Sequence, residues 1–201
     1  MRVLILCLLV VCAFSLTPSM DIWEEIDDIN CTLKSYTNMV FRVYQSVGKV
    51  EPNFAKNAKY VKDSKAVVSL SAYIVPCITC NITKQVEEIA AAIKDVKLVM
   101  LWIVVQGAWS HDRNVNVQFL QSFVDEVKKL GEVGIQTDIM SWMRNMGRDH
   151  SNFSSLKLWY VLHDKRPDGG FMPFGGWRHA YAKQYETAEL CGDTINHDSI
   201  L

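Results

Sequence analysis

The feature that most constrains this chain is an uninterrupted apolar segment, LVMLWIVV at residues 98–105, which ends at Gln106 and Gly107. A strand that is apolar at every position needs cover on both of its faces. Such strands occur mainly in parallel sheets that pack under helices. The segment therefore predicts an α/β fold, and the polar side chain at its carboxyl end indicates a functional position.

The rest of the chain alternates between two hydrophobic periods. Apolar runs predict strands at residues 39–44, 67–75, 133–137, 156–162 and 181–185, in addition to 98–105. Apolar side chains three and four residues apart predict helices at residues 83–96, 116–130 and 139–146. Strand, helix and strand in succession favour a mostly parallel sheet.

The final third of the chain is short of helix, because residues 165–177 read KRPDGGFMPFGGW, which is typical of turns and loops. We therefore predict an α/β fold, an irregular TIM-like (β/α) barrel of about eight mostly parallel strands with some crossover helices missing. A doubly wound sheet is the alternative. In a barrel the site lies at the carboxyl ends of the strands, and Gln106 lies at such an end.

The chain begins MRVLILCLLVVCAFSLTPS, which predicts a secretory signal peptide over residues 1–18, cleaved between residues 15 and 19. One domain over residues 19–201 follows. No later segment has the ~20 consecutive apolar residues of a membrane helix, so we expect no membrane partner. Cleavage changes the formal net charge from −1 to −2, which gives no reason to expect a nucleic-acid partner.

Four cysteines lie beyond the predicted leader: Cys31, Cys77, Cys80 and Cys191. In an exported protein an even count predicts two disulfides, and three pairings are open. We favour Cys77 with Cys80, which closes a small loop, and Cys31 with Cys191, which ties the two ends of the domain together. A redox or zinc motif is the alternative interpretation of CITC.

Three Asn-x-Ser/Thr sequons, at Asn30, Asn81 and Asn152, predict N-glycosylation of an exported chain. The five histidines show no metal-ligand spacing, and no phosphate-binding or dinucleotide-binding fingerprint occurs. We therefore expect no metal and no cofactor. The expected product is a secreted, extracellular monomer, in a setting such as the gut lumen or a lysosome-related compartment.

Several short motifs occur in a shared order: PCITC, LWIVVQG, LWYVL, PFGGW, AKQY and a late CG. Together they resemble the nematode and amoeba type of lysozyme in glycoside hydrolase family 25, over about residues 21–196. The resemblance implies an irregular (β/α) barrel that cleaves the β-1,4 bond after N-acetylmuramic acid in peptidoglycan. It also implies acidic residues at the carboxyl ends of the strands, with the glutamate of an Asp-x-Glu-Gly motif as proton donor.

This chain departs from that pattern at the acidic positions. The Asp-x-Glu pair is replaced by Val104 and Gln106, and a carboxamide has no proton to give near neutral pH. Two further aspartates of the family pattern fall on Ser71 and Asn196, and a tyrosine falls on Gln136. Asp21 is a possible remnant of the first-strand aspartate; alternatively, Asp21 and Glu24 form a helix capping box.

Aromatic residues are better kept than the acids. The resemblance places Tyr44, Tyr73, Trp159, Tyr160 and Tyr185 where family members have aromatic side chains, so we predict that they bind substrate. Sugars pack well on aromatic rings. Core packing is the alternative explanation for each of them.

Three functions are compatible with these residues. The first is a catalytically inactive, secreted lysozyme-like protein that binds peptidoglycan or another amino-sugar glycan in innate defence. The second is an active N-acetylmuramidase, used in bacterial defence or digestion, with a displaced acid such as Asp112 or His111. The third is a barrel that serves only as a scaffold for a protein partner.

Overall fold

The computed structural model describes residues 16–66, 69–107 and 109–201. Within these residues the strands are β1 (Thr17–Ile22), β2 (Asn38–Gln45), β3 (Lys49–Val50), β4 (Ser69–Ile74), β5 (Leu101–Val104), β6 (Val133–Thr137), β7 (Lys157–Val161), β8 (Ala182–Leu190) and β9 (Asp193–Ile200). The helices are α1 (Ile29–Ser35), α2 (Phe54–Ser64), α3 (Ile82–Ile93), α4 (Arg113–Val127) and α5 (Ile139–Asn145).

The strands close into an eight-stranded barrel. Parallel pairing runs from β1 through β2, β4, β5, β6 and β7 to β8, and β9 closes the ring by pairing antiparallel with both β8 and β1. The short strand β3 extends β2 as a hairpin outside the ring. The predicted irregular, mostly parallel barrel is therefore confirmed, and the doubly wound alternative is wrong.

A helix follows most of the parallel strands, but the connection from β7 to β8 contains none among the described residues. In its place Lys183, on the outer face of β8, is buried beneath the connecting loop. Its ammonium group donates to Asp164 Oδ1 at 2.7 Å and to the carbonyl oxygen of Arg166 at 2.9 Å. These bonds compensate a buried charge and hold the loop against the barrel.

Local sequence chemistry sets where the helices begin. Asn81, Asp112 and Asp138 each accept a backbone N–H of the first turn, at Lys84, Asn114 and Ser141 respectively. Such caps contribute roughly 0.5–2 kcal/mol each to helix stability. All three cap residues follow strands at the carboxyl end of the barrel, so the same polar residues that start the helices also surround its mouth.

The barrel sheet separates two apolar clusters. The outer cluster lies between strands and helices and includes Leu101, Ile103 and Val105. The inner cluster fills the barrel and includes Trp102 and Val104 of the same segment. Both faces of β5 are therefore buried, which explains why its sequence does not alternate.

The sequence predictions for the elements are confirmed in kind, with boundary shifts of one to three residues for most of them. For the strand predicted at 67–75, β4 begins at Ser69, and residues 67 and 68 lie outside the described residues. Strands β1, β3 and β9 and helices α1 and α2 were not predicted from periodicity. Of these, α1 is only seven residues long, and β1 overlaps the predicted signal peptide.

Both favoured disulfides are confirmed. Cys31 of α1 is bonded to Cys191 in the turn between β8 and β9, and Cys77 is bonded to Cys80. Because Cys77 and Cys80 are bonded to each other, neither is free to ligate zinc, and the described residues hold no group of three metal-ligating side chains. Cys191 and Gly192 both have positive φ, as a two-residue hairpin turn requires.

The predicted signal peptide lies mostly outside the described residues. Its last two residues, Thr17 and Pro18, begin β1 and pair with Ile200 and Ser199. Cleavage at the early edge of the predicted window would keep this strand whole, and the leader itself stays a prediction. No helix in the described part of the chain is long and apolar enough to span a membrane.

Candidate functional site

An open cleft of ≈ 490 Å³ lies at the carboxyl ends of the barrel strands. Its lining comes from seven strands or the loops that follow them: Asp21, Trp23, Arg42, Ser46, Tyr73, Val75, Pro76, Ile78, Thr79, Val104, Gln106, Gly107, Trp109, Gln136, Gln184 and Asn196. This is the end of the barrel at which the sequence analysis places the site. Tertiary structure thus brings together positions up to 175 residues apart.

Asp21 forms the floor of the cleft and is 2% exposed. Its carboxylate accepts from the Asn196 side-chain amide at 3.1 Å and from the Gln184 amide. Burial raises the pKa of Asp21 to about 6, although these hydrogen bonds act in the opposite direction. The capping-box interpretation is wrong, since Asp21 lies in β1 and the next helix begins at Ile29 with Asp28 as its cap.

Val104 and Gln106 lie at the end of β5, on the wall of the cleft. The Gln106 amide nitrogen lies 3.5 Å from Asp138 Oδ2, a long contact. The other oxygen of that carboxylate, Asp138 Oδ1, accepts from the backbone of Ser141 at 2.8 Å. Gln106 is thus placed to offer hydrogen bonds to a ligand in the cleft, and its amide has no proton to transfer to a leaving group.

The predicted acid positions divide into two groups. Val104, Gln106, Asn196 and the remnant Asp21 meet in the cleft, as does Gln136. Ser71 does not join them: it lines a separate cavity of ≈ 50 Å³ near the opposite end of the barrel. The reason is register, because Ser71 precedes Tyr73 by one full strand repeat and so lies one layer deeper in the barrel.

The predicted aromatic contacts divide in the same way. Tyr73 lines the cleft, while Trp159 is buried beneath it with ring centroids 6.3 Å apart from Tyr73. Tyr44 and Tyr160 pack in the outer cluster, on the far side of the sheet. Tyr44 donates there to Glu88 Oε2 at 2.7 Å.

Tyr185 is half-buried against His197, also away from the cleft lining. The structure therefore corrects the prediction for Tyr44, Tyr160 and Tyr185, whose rings pack outside the cleft, and for Trp159, which is buried beneath it. Neighbouring residues of a strand point to opposite faces, so an aromatic residue one position out of phase leaves the site.

Proteins of known family resemble this chain in sequence and in fold. The family described as "Lysozyme-like protein 1" matches residues 15–185, most of the chain. A "Probable GH family 25 lysozyme 2" of Dictyostelium discoideum is 32% identical over 179 residues, which are 84% of this chain and 82% of that protein. The chain belongs to the lysozyme-like proteins of GH family 25.

Other similar proteins agree with this assignment. "Lysozyme-like protein 5" of Caenorhabditis elegans is 27% identical over 175 residues, 82% of this chain and 81% of that protein. Among solved structures, a muramidase from Trichobolus zukalii has a TM-score of 0.73 at 16% identity and covers 92% of this chain and 93% of its own. The modular autolysin LytC of Streptococcus pneumoniae, solved with a synthetic peptidoglycan ligand, has a TM-score of 0.75 at 15% identity and covers 92% of this chain and 47% of its own.

The displaced acids considered from sequence lie outside the cleft of this lysozyme-like barrel. Asp112 caps α4, where its carboxylate accepts from Asn114 N at 2.8 Å, and it is exposed. His111 is also exposed, and neither residue belongs to the cleft lining. The acidic side chain that does contact Gln106 is Asp138, which the sequence analysis did not single out.

Several residues of the site were missed from sequence. Trp23 and Trp109 line the cleft beside Tyr73, and Arg42 lies on its wall. The Arg42 guanidinium is held by the buried carboxylate of Glu51, with Nε to Oε2 at 2.6 Å. A charged residue inside the apolar run MVFRVY was a usable signal for Arg42, because an arginine inside a barrel needs a specific partner.

The disulfide Cys77–Cys80 shapes one rim of the cleft, to which Pro76, Ile78 and Thr79 contribute. The Gln85 side chain clamps this loop from α3, accepting from Cys77 N and donating to Cys77 O, both at 2.9 Å. The rim is thus held by a covalent bond and by a buried amide.

The three sequon asparagines, Asn30, Asn81 and Asn152, are all exposed. Asn81 directly follows the disulfide rim and caps α3 with its side-chain oxygen. Accessibility is compatible with glycan attachment at each position. Glycosylation itself stays a prediction.

Proposed function

We propose that this protein is a secreted lysozyme-like protein that binds amino-sugar glycans of the peptidoglycan type in its cleft, in a defence setting, without hydrolysing them. One observation carries the proposal: the end of β5 presents Val104 and Gln106 to the cleft, and Asp21 is the one carboxyl group among the described residues of the lining. The cleft lies at the carboxyl ends of the barrel strands, and its described lining lacks a pair of acids.

Hydrolysis of a glycosidic bond generally requires one carboxylic acid to protonate the leaving oxygen and a second carboxylate on the other side of the sugar. Asp21 lies on the floor and already accepts from two amide side chains. General acid catalysis alone is typically worth about 10²–10⁴-fold in rate. Loss of the acid at position 106 is therefore expected to leave little or no turnover.

Binding of a glycan requires no proton donor, only surfaces and hydrogen-bonding groups that fit the sugar. Trp23, Tyr73 and Trp109 supply aromatic rings for the apolar faces of sugars, and Gln106 and Gln136 supply amide groups for their hydroxyl and acetamido substituents. The solved LytC neighbour holds a peptidoglycan ligand. Shared fold and aromatic lining support the same ligand class for this cleft.

A second candidate is an active muramidase in which Asp138 is the displaced acid. It is favoured by the contact between Asp138 Oδ2 and the Gln106 amide, which places a carboxylate beside the vacated position. Against it, the other oxygen of Asp138 is used to cap α5. Asp138 lies behind Gln106 and is not part of the cleft lining.

The test measures release of soluble fragments from purified peptidoglycan together with retention of the protein on the same material. Wild type is compared with the Val104→Asp/Gln106→Glu double variant, with Asp138→Asn, and with Met172→Ala as a control at an exposed apolar residue outside the cleft lining. We expect retention without turnover in the wild type and a gain of turnover in the double variant.

Turnover by the wild type that Asp138→Asn abolishes would establish the second candidate. If the wild type shows no turnover and is not retained on peptidoglycan, glycan binding is refuted and a protein partner is favoured. Retention by wild type that is unchanged in Met172→Ala completes the expected result.

A further inference from the structure

A second buried carboxyl group, Asp198, lies inside the barrel beneath the cleft. It follows Asn196 by two residues on β9 and so points to the same side of the strand, one layer deeper. Its side chain is 2% exposed, and its Oδ1 accepts from the Trp159 ring nitrogen at 3.0 Å. The sequence analysis did not single out Asp198, and the proposed function does not use it.

The second oxygen of this carboxyl group, Asp198 Oδ2, is buried and has no hydrogen-bond donor among the described residues. Strands β1 and β9 pair Asp21 with Asn196 and Ser19 with Asp198, so the carboxyl groups of Asp21 and Asp198 are diagonal neighbours on the same face of the sheet. Two ionised carboxylates only accept hydrogen bonds, so they cannot satisfy one another. A proton on one of them turns the repulsive contact into a hydrogen bond.

Among the described residues no cationic side chain is hydrogen-bonded to either acid, although the charge of His163 lowers the pKa of Asp21. The charged and titratable groups that face the pair from the packed elements are Arg42 and Glu51 with β2, Tyr36 before it, Tyr73 of β4, His163 after β7, and Tyr185 of β8. Arg42 is bound to Glu51, and His163 is exposed and reaches Asp21 only through Gln184. Ionisation of both acids would therefore leave a buried, uncompensated charge.

We propose that Asp21 and Asp198 share a proton, and that this shared proton sets the charge of the cleft floor. Burial raises the pKa of Asp21 to about 6 and raises the pKa of Asp198 well above its usual range, with the charge of Asp21 adding to the latter effect. The two acids titrate as a pair. The pair is neutral below about pH 6 and carries one negative charge at neutral pH.

One consequence concerns the ligand, and it rests on the proposed function. An amino sugar that carries its own carboxylate, such as muramic acid, would meet a neutral floor in mild acid and an anionic floor at neutral pH. A neutral amino-sugar oligomer would meet no such change. Affinity for the acidic glycan is therefore expected to fall by about tenfold from pH 5 to pH 7, while affinity for the neutral one stays nearly constant.

The first experiment needs no ligand. The mature chain is labelled with carbon-13 at the aspartate carboxyl carbons and titrated by NMR from pH 3 to pH 9, alongside Asp198→Asn and the control Asp193→Asn. Asp193 is a buried aspartate of the same strand that contacts the backbone of Asp27 and lies outside the cleft lining.

We expect an anomalous signal from Asp21 with a midpoint near pH 6 and one from Asp198 that stays protonated to a higher pH than an ordinary aspartate, beside the separately raised signal of Asp193. The first two should be lost or shifted in Asp198→Asn and be unchanged in Asp193→Asn. Ordinary titration of every aspartate below pH 5 would overturn the proposal. The wild-type titration decides the matter even if Asp198→Asn does not fold.

The second experiment measures binding of a muramic-acid-containing fragment and of a chitooligosaccharide at pH 5 and pH 7. Wild type should lose affinity for the muramic-acid fragment alone, and Asp198→Asn, which lacks the partner of the shared proton, should shift the pH at which that affinity falls. Anomalous titration with no binding of either glycan would refute the proposed function and leave the shared proton standing. If affinity falls equally for both glycans from pH 5 to pH 7, or falls for neither, Asp21 and Asp198 do not control the charge of the cleft floor.

Discussion

The two faces of the barrel sheet are built on different principles. The outer face packs aliphatic and aromatic side chains such as Ile103 and Phe123 against the helices, in one large cluster. The inner face has a small apolar cluster around Trp102 and Trp159, and above it a layer of buried polar groups that includes Asp21. The comparison teaches that stability and ligand chemistry are separated by one strand position, because adjacent residues face opposite sides.

The largest loss of stability is expected from Phe123→Ala on α4, which removes a side chain from the outer face. Phe123 is fully buried in the outer cluster and stacks on Phe119. Its truncation should lower the free energy of unfolding by about 3–5 kcal/mol through lost burial and a residual cavity. Denaturant unfolding measures this change, with Val115→Ala, an exposed position of the same helix, as the control.

If the two faces are independent, Phe123→Ala should leave glycan affinity unchanged under conditions where the variant is folded. A parallel loss of affinity would show that the outer packing also sets the shape of the cleft.

A smaller loss is expected from Gly134→Ala in β6. A Cβ at Gly134 would lie 2.2 Å from a ring carbon of Trp102, so the buried indole must move. Overpacking of this kind typically costs about 1–3 kcal/mol. Thermal or denaturant unfolding of the variant measures the loss.

Gly131→Ala is the matched control, since a Cβ there meets no atom within 4 Å. Equal stability of the two alanine variants would contradict the assigned role of the Trp102 ring in filling the inner face.

A pH-dependent effect is expected from Asp198→Asn on the inner face. Since burial raises the pKa of Asp21 and of Asp198, the folded chain binds more protons than the unfolded chain; stability falls as pH rises from about 4, through about 6 for Asp21 and to higher pH for Asp198. Asp198→Asn should reduce this fall and stabilise the protein at pH 7 by about 1–2 kcal/mol.

Melting temperatures between pH 4 and pH 8 measure this dependence, with exposed Asp125→Asn as the control. The same slope in all three proteins would show that the buried pair does not bind extra protons in the folded state.

The smallest effect on stability, with a clear effect on binding, is expected from Trp109→Ala. Trp109 lies on the cleft wall, half-buried against Phe119. Loss of an aromatic contact should weaken glycan binding by about tenfold and change stability little. Isothermal calorimetry with a muramyl fragment measures it, and an unchanged affinity would remove Trp109 from the binding surface.

The course of the strands and helices could largely be predicted from the sequence. Apolar periodicity located β2, β5 and β6 closely, and the GGW-rich region correctly indicated a missing helix before β8. Helix α1 and strand β9 were missed because short or polar elements depend on long-range partners. For β9 those partners are β8 and β1, and its inner face carries Asn196 and Asp198 in place of an apolar pattern.

The site could be predicted only in part. Gln106, Val104 and Asn196 were found because the family resemblance assigns them positions, and Asp21 was found the same way. Tyr44 and Tyr160 were misplaced, because a motif fixes a residue along a strand but a shift of one position moves the side chain to the other face.

The sequence by itself determined that positions 104 and 106 hold no general acid, since no fold can give Val104 or Gln106 a proton to transfer. It also determined the fold class, through hydrophobic periodicity, and the number of cysteines available for pairing. Tertiary structure alone decided which polar groups meet: it closed β1 against β9 and so placed Asp21 beside Asn196 and Asp198. The physical reason is that ionisation depends on burial and on neighbours in space, and neither is a property of a residue's position along the chain.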